Sequence, residues 1–207
     1  MTLSATEVHQ LKQAPAQENV LPVFLQRWSP RSFADRDVNP ADLKTVFEAA
    51  RWAASSYNEQ PWRFFVGTRD SETYKKILTS LTEFNQLWAR TAPVLILGIA
   101  RTTFSHSGAP NRVALYDLGA AAATMCYQAT ALGLHTHQMA GVNLDVAREQ
   151  FQVPDDYIFG AAMALGYLGE PAALPNQQML DQEIAPRQRK PLSEFVLSGW
   201  GTPARLA

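Results

Sequence analysis

The residues best suited to chemistry lie near the N-terminus. Arg27, Ser29 and Arg31 alternate in the segment 27–33 (RWSPRSF), so in extended backbone their side chains point to one side. Two guanidinium groups beside a hydroxyl suit the binding of a phosphate or another planar anion. A solvated basic loop is the alternative interpretation, because such clusters are common.

A second polar segment follows at 55–62 (SSYNEQPW). Its many donors and acceptors suit a polar heterocycle, although a turn rich in Ser and Asn has the same composition. Pro61 favours extended geometry at the preceding residue, Gln60, at the start of a strand.

Three further features are weaker signals. Arg187 and Arg189 belong to a basic segment, RQRKP, for which a solvated tail is the simpler interpretation. His135 and His137 share a face if they lie on a strand, and with no third ligand nearby, packing is favoured over a metal site. The sequence has no G-x-G-x-x-G motif after a strand, P-loop, G-x-S-x-G or H-E-x-x-H.

The composition fits one globular domain. Of the 207 residues, 46% are hydrophobic and 18% are charged, which is enough for a core and too little charge for a disordered chain. A net charge of −1 gives no general attraction to nucleic acid or membrane surfaces. With one cysteine, Cys126, an internal disulfide is excluded. We expect a cytoplasmic protein, since neither a signal-peptide pattern nor a membrane-spanning run is found.

The hydrophobic pattern predicts an α+β fold with helices on both sides of a sheet. Helices are expected at 4–12, from 40, from 71, at 113–132 and at 144–151, with strands at 62–67, 93–99, 135–139 and 158–168. The helix at 113–132 is apolar or small nearly all round, which in so short a chain suggests cover by a second subunit. We expect a single domain at 1–207 whose extension, about 171–207, docks on the partner.

Six ordered motifs carry a family resemblance: R-x-S-x-R, S-S-x-N-x-Q-P-W, N-Q before A-P-V-L-I-L, A-x-G-L at 131–134, A-L-G-Y-L-G, and R-K-P-L-S-E. In this order, over roughly residues 22–196, the chain resembles the nitroreductase family of FMN enzymes. The resemblance implies a central, mostly antiparallel sheet flanked by helices in a domain-entwined homodimer.

The resemblance also assigns roles to the residues that match the family's phosphate and pyrimidine contacts. Arg27 and Ser29 match the positions that hold the FMN phosphate, which Arg187 and Arg189 close upon. Arg31 matches the cationic position near flavin N1 and the C2 carbonyl, where it would stabilise negative charge.

The remaining matches surround the flavin ring. Asn85 matches the amide that binds the pyrimidine edge, and the N–H groups of Ala140 and Gly141 match those facing N5 and the C4 carbonyl. Where Ala140 stands, some members carry a carboxylate, which alters the polarity above the ring. The loop that reaches the partner's flavin is matched by Ser55, Ser56 and Asn58. Trp28 and Gln60, inside the same motifs, complete the expected cofactor-binding set.

The function implied is an FMN-dependent oxidoreductase with no obligatory acid, base or nucleophile. Hydride would pass from NADH or NADPH through flavin N5 to small oxidised substrates such as nitroaromatics or quinones, with ping-pong kinetics. The expected partners are a second copy of the chain and the substrate, with no nucleic acid, membrane or metal. Two alternatives stay open: another flavin chemistry on the same fold, such as reductive dehalogenation, enal or semialdehyde reduction, flavin destruction or peptide dehydrogenation, and a non-catalytic binder of a phosphate ligand. The loop at 101–112 carries no signature for the first.

Overall fold

A four-stranded antiparallel sheet forms the centre of the computed structural model, which describes residues 3–15 and 18–206. Its strands are β1 (Trp62–Thr68), β2 (Val94–Arg101), β3 (His135–Met139) and β4 (Tyr157–Gly166), in the spatial order β1-β2-β4-β3. Because β2 lies inside the sheet with both faces covered, it is an unbroken apolar run and is buried along its length up to Arg101.

The described residues form eight α-helices. These are α1 (Ala5–Leu11), α2 (Pro22–Gln26), α3 (Pro40–Arg51), α4 (Glu72–Ser80), α5 (Glu83–Ala89), α6 (Ala114–Ala131), α7 (Leu144–Phe151) and α8 (Gln177–Ile184). Side-chain caps set several helix starts: Asn39, Ser71, Asn143 and Asn176 each accept an N–H from the first turn. Helix α6 is followed by Gly133, whose φ of 74° suits a glycine after a helix end.

Two hydrophobic clusters lie on opposite faces of the sheet. On one face α3 and α6 contribute Val46 and Met125 against Ile96 of β2. On the other face α4, α5, α7 and α8 pack against alternate β2 residues such as Leu95. The α+β architecture with helices on both sides is therefore confirmed.

The helices and strands expected from the sequence are present within about two residues, but three helices were not anticipated. Helices α2 and α5 are only one to two turns long, and α8 lies in the extension at about 171–207, for which no helix was predicted. Beyond α8 the chain runs over the surface to a small hairpin of β5 (Leu197–Gly199) and β6 (Thr202–Pro203). No helix among the described residues is long and apolar enough to cross a bilayer.

Helix α6 is only partly covered within one chain. Leu118, Ala122 and Met125 are buried in the core, whereas Tyr116 is 79% exposed and Gly119 is also at the surface. The tail is more exposed still, since Phe195 is 60% and Trp200 fully exposed. Apolar side chains of α6 and of the C-terminal extension are therefore left uncovered within one chain.

Candidate functional site

The segment 27–32 leaves the end of α2 and presents the first group of expected site residues. Arg27 Nη1 donates to Ser29 Oγ at 3.2 Å, so the alternating pair lies on one side, as its spacing predicts. Pro30 is fixed behind them, because its carbonyl accepts a hydrogen bond from His137 Nδ1 at 2.9 Å.

Four arginines at this end of the molecule have no carboxylate partner. Within the described residues, Arg27, Arg31, Arg187 and Arg189 form no ion pair. Burial lowers the pKa of Arg187, and the nearby charges of Arg27 and Arg189 lower it further. The excess positive charge is the arrangement that an anionic ligand would neutralise.

Arg187 also has a structural contact. Its Nη1 donates to the carbonyls of Lys12 at 3.0 Å and Leu25 at 2.5 Å. It therefore ties the end of α1 to α2, two residues before Arg27, and so helps to place the arginine segment itself.

Asn85 and Gly141 come together beside this arginine group. Asn85 Nδ2 donates to the Gly141 carbonyl at 3.1 Å. A Cβ atom at position 141 would lie 2.5 Å from Asn85 Nδ2 and 2.8 Å from Thr82 Oγ1, so any residue other than glycine would displace these side chains. Ala140, the residue before it, is exposed. The two groups adjoin, since the Arg31 guanidinium lies 5.9 Å from the ring centroid of Phe84, next to Asn85.

The 55–60 loop is shaped mainly by its own contacts. Ser55 Oγ accepts the Gln60 N–H at 3.0 Å, and Gln60 Nε2 donates to the Asn58 carbonyl at 3.0 Å. Tyr57, Asn58 and Gln60 have φ values of 53°, 55° and 51°. The expected extended geometry at Gln60 is therefore wrong, because the bond to Ser55 turns the chain back before Pro61.

The structure does not bring this loop to the arginine group within one chain. The Ser56 N–H donates to buried Asp117 Oδ2 at 3.1 Å, at the start of α6. The charge of Arg27 acts near Cys126, at the other half of the same helix. The step of nine positions from Asp117 to Cys126 spans about 14 Å of helix.

The loop at 102–112 is fastened to the 55–60 loop. The Glu59 carboxylate accepts the Ser105 N–H at 2.9 Å and the Ser105 hydroxyl at 3.1 Å. Tyr57, Phe104 and His106 form an aromatic group, with ring centroids 5.4 to 5.8 Å apart. The sequence showed a polar loop here but not that the two loops would act as one surface.

The Trp28 side chain has a packing role. It is 4% exposed, its Nε1 donates to His9 Nδ1 at 3.3 Å, and Lys12 Nζ lies 5.2 Å from its ring centroid. Only the main chain of Trp28 is left for a ligand.

His135 is buried and His137 is half-buried, and both rings are neutral at pH 7. Burial lowers the pKa of His135 to about 4 and that of His137 to about 4. His135 Nε2 lies 3.4 Å from His9 Nδ1. In the described ranges, no three His, Cys, Asp or Glu side chains come together as a metal site requires.

Sequence reasoning missed two buried carboxylates that hold main-chain amides of the expected site. Asp117 holds Ser56, and Glu183 of α8 accepts the N–H groups of Arg31 and Ser32. Burial raises the pKa of Glu183, while those N–H groups and the charge of Lys12 oppose the shift. An acid inside an apolar helix was the available signal for Asp117. For Glu183 the available signal was its spacing of four residues from Met179, which places both side chains on one face of a helix.

Comparison with known proteins identifies the family. A model of the nitroreductase family matches residues 24–86 and 76–167. A relative from Archaeoglobus fulgidus, provisionally named an NADH dehydrogenase/NAD(P)H nitroreductase, is 28% identical over 72% of this chain and 86% of its own. A crystal structure described as an oxidoreductase containing FMN is 36% identical with a TM-score of 0.86, covering 93% of this chain and 98% of its own. A provisionally named nitroreductase from Desulfovibrio desulfuricans, solved in complex with FMN, is 26% identical with a TM-score of 0.69, covering 89% and 98%. The chain belongs to the nitroreductase family of oxidoreductases.

Proposed function

We propose that this chain is an FMN-dependent oxidoreductase that transfers hydride from NADH or NADPH to small oxidised substrates such as nitroaromatics or quinones, in a ping-pong cycle. When bound, FMN would supply the chemistry by accepting hydride at N5 and delivering it to the second substrate. The chain's residues bind and orient the cofactor and set the charge around it.

The observation that carries the proposal is the group of four arginines without carboxylate partners beside the Asn85–Gly141 contact. Arg27 and Ser29 are already joined by a hydrogen bond and would hold the phosphate together with Arg187 and Arg189. Arg31 has a buried Nε with no partner among the described residues. An unpaired buried donor is costly, so a ligand acceptor at this point would be stabilising.

The proposed ring contacts lie on the other side of Arg31. Asn85 Nδ2 is used by the Gly141 carbonyl, which leaves the Asn85 amide oxygen for a donor on the pyrimidine edge. The main-chain N–H groups of Ala140 and Gly141 would face the ring. Arg31 places a permanent positive charge there, which favours an electron-rich ligand.

The proposal includes a homodimer in which the site is completed by the partner. The 55–60 loop lies far along α6 from the arginine group, so Ser55, Ser56, Asn58 and Gln60 would serve the site of the other subunit. The exposed face of α6 and the extension at about 171–207, which carries Trp200, would then be covered by the partner. Burial of these apolar surfaces would provide the interface.

A binding experiment tests the proposal directly. The purified chain is titrated with FMN and with riboflavin, and flavin fluorescence is followed. We expect one FMN per subunit and a much weaker affinity for riboflavin, which lacks the phosphate. Anaerobic addition of NADH or NADPH should then bleach the bound flavin. Equal affinities for FMN and riboflavin, or no uptake of either, would overturn the assignment of the arginines.

A further inference from the structure

One peptide group in the 27–32 segment is held at both ends by side chains from distant parts of the chain, the half-buried His137 and the buried Glu183. The Pro30 carbonyl accepts from His137 Nδ1 at 2.9 Å, and the N–H of the same peptide, on Arg31, donates to both Glu183 oxygens at 3.0 Å. A carbonyl can only accept, so this contact places the proton of the neutral His137 ring on Nδ1.

Glu183 is used in an uncommon way. Glu183 is 2% exposed, and its Oε1 also accepts the Ser32 N–H at 3.2 Å. Its charge acts on Arg31 and Lys12, yet no ion pair to either is found within the described residues. The carboxylate thus binds the main chain of Arg31 and leaves its guanidinium free.

We propose that Glu183 and His137 are positioning residues that clamp the Pro30–Arg31 peptide and thereby aim the Arg31 guanidinium at the cofactor. The inference rests on the proposed function for its catalytic consequence, but not for the clamp itself. A direct pair between Glu183 and the guanidinium would neutralise the charge that the site needs. Binding the amide instead fixes the backbone while the cation stays available.

The family match does not assign this role. Glu183 lies beyond residues 24–167, which the family model covers, and reaches back 152 residues to Arg31. Lys12 strengthens the same junction, since its Nζ donates to the carbonyls of Gln182 and Ala185 at 3.1 and 2.6 Å. The clamp therefore depends on the α8 segment of this chain.

The first test measures amide hydrogen exchange and needs no cofactor. The Arg31 and Ser32 amides should exchange slowly in the native chain and at least about tenfold faster in Glu183→Gln, because the neutral amide offers a weaker acceptor. Asp181→Asn, an exposed change on the same helix, is the matched control and should leave both rates unchanged. Unaltered exchange in Glu183→Gln would overturn the clamp.

The second test asks whether the clamp acts through Arg31. In stopped-flow reduction by NADH, Glu183→Gln should lower the rate constant about tenfold while the Kd for FMN changes less than about threefold. In an Arg31→Ala background the same change should have no further effect, since residues that act through one another are not additive. Full additivity would show that Glu183 does not work through Arg31.

Two variants of His137, which binds the Pro30 carbonyl, test the other end of the clamp. They also keep the proposal testable if Glu183→Gln does not fold. His137→Asn keeps an N–H donor near the position of Nδ1 and should retain the reduction rate and slow Arg31 exchange, whereas His137→Phe should lose both. Equal behaviour of the two variants would contradict a donor role. If the native chain binds no FMN, the proposed function fails, while the exchange measurements still decide the clamp.

Discussion

The two polar loops of the expected site are held in opposite ways. The 27–32 segment is fixed by distant residues: His137 and Glu183 bind its main chain, and Arg187 ties down the helix before it. The 55–60 loop is shaped mainly by hydrogen bonds within itself and contains three residues with positive φ. It is joined to the 102–112 loop through Glu59 and to α6 by one bond, from the Ser56 N–H to Asp117.

This difference separates two tasks. A ligand group common to every reaction, such as a phosphate, is best bound by a rigid segment, because little ordering entropy is then lost. A surface that must accept different substrates gains from local, adjustable contacts. We therefore expect changes near 27–32 to alter phosphate binding and flavin reduction, and changes at the junction of Glu59 with the 102–112 loop to alter mainly substrate selection.

The largest effect is expected at the proposed dimer interface, where the 27–32 segment of one subunit would meet the 55–60 loop of the other. Gly119 is exposed and a Cβ atom there meets nothing within 4 Å. In an isolated chain Gly119→Glu should therefore be neutral or stabilising by about 0.5–1 kcal/mol, since glycine weakens helices. In a dimer it would bury an unpaired charge. Light scattering should show monomers, and FMN affinity should fall more than about 100-fold.

The control for this prediction is Ala131→Glu, at an exposed position about 120° round the same helix. It should leave both mass and FMN affinity unchanged. A monomeric Gly119→Glu chain that binds FMN tightly would show that the 27–32 segment and the 55–60 loop meet within one chain.

Arg31→Ala tests the 27–32 segment, which distant residues hold in place. Removing this charge should slow reduction of bound FMN by NADH about 100-fold, corresponding to ~3 kcal/mol for one stabilising donor. The phosphate contacts persist, so FMN should remain bound. Stopped-flow traces would measure the rate, with Arg36→Ala, an exposed arginine stacked on Tyr167, as the control. Unchanged reduction would remove Arg31 from the mechanism.

Whether a contact of this site could be predicted from the sequence depends on how far apart its two residues lie along the chain. The spacing of Arg27 and Ser29 correctly placed their side chains together, because extended backbone fixes alternation locally. The partner of Glu183 could not be predicted from local spacing, since the hydrogen bond joins positions 152 residues apart. Gln60 was misjudged although its determinant is local: the rule for residues before proline was outweighed by one side-chain hydrogen bond. Hydrophobic periodicity predicted α1, α3, α4, α6 and α7. It did not predict α8, nor α2 and α5, which are too short to show a period.

Gly141→Ala should have a smaller effect, on FMN affinity, because it alters the Asn85–Gly141 contact beside the 27–32 segment. The added methyl group would displace the Asn85 amide, which lies 2.5 Å from the Cβ position. We expect the Kd for FMN to rise about tenfold, the loss of roughly one hydrogen bond. Fluorescence titration would measure it, and thermal melting would separate misfolding from displacement. An unchanged Kd would exclude Asn85 from the pyrimidine edge.

The smallest effect is expected where the 55–60 loop joins the 102–112 loop. Glu59→Gln should weaken the junction with Ser105 and raise KM for an aromatic acceptor about two- to fivefold, while FMN affinity changes less than twofold. Glu48→Gln, in an exposed pair with Arg51, is the control and should change neither. A loss of FMN affinity in Glu59→Gln as large as in Gly141→Ala would erase the distinction between the two loops.

The bonds from Lys12 to Gln182 and Ala185, and from Arg187 to Lys12 and Leu25, have a consequence for how the protein is made. They join the α1–α2 region to the α8 region, so the arginine segment reaches its final geometry on the ribosome only after α8 has emerged. Contacts of such sequence separation form late, because a long loop must close before they stabilise anything. A nascent chain stopped before Gln177 would hold a sheet-forming sequence but an arginine segment without its α8 contacts, and any cofactor binding there would be deferred until α8 has emerged.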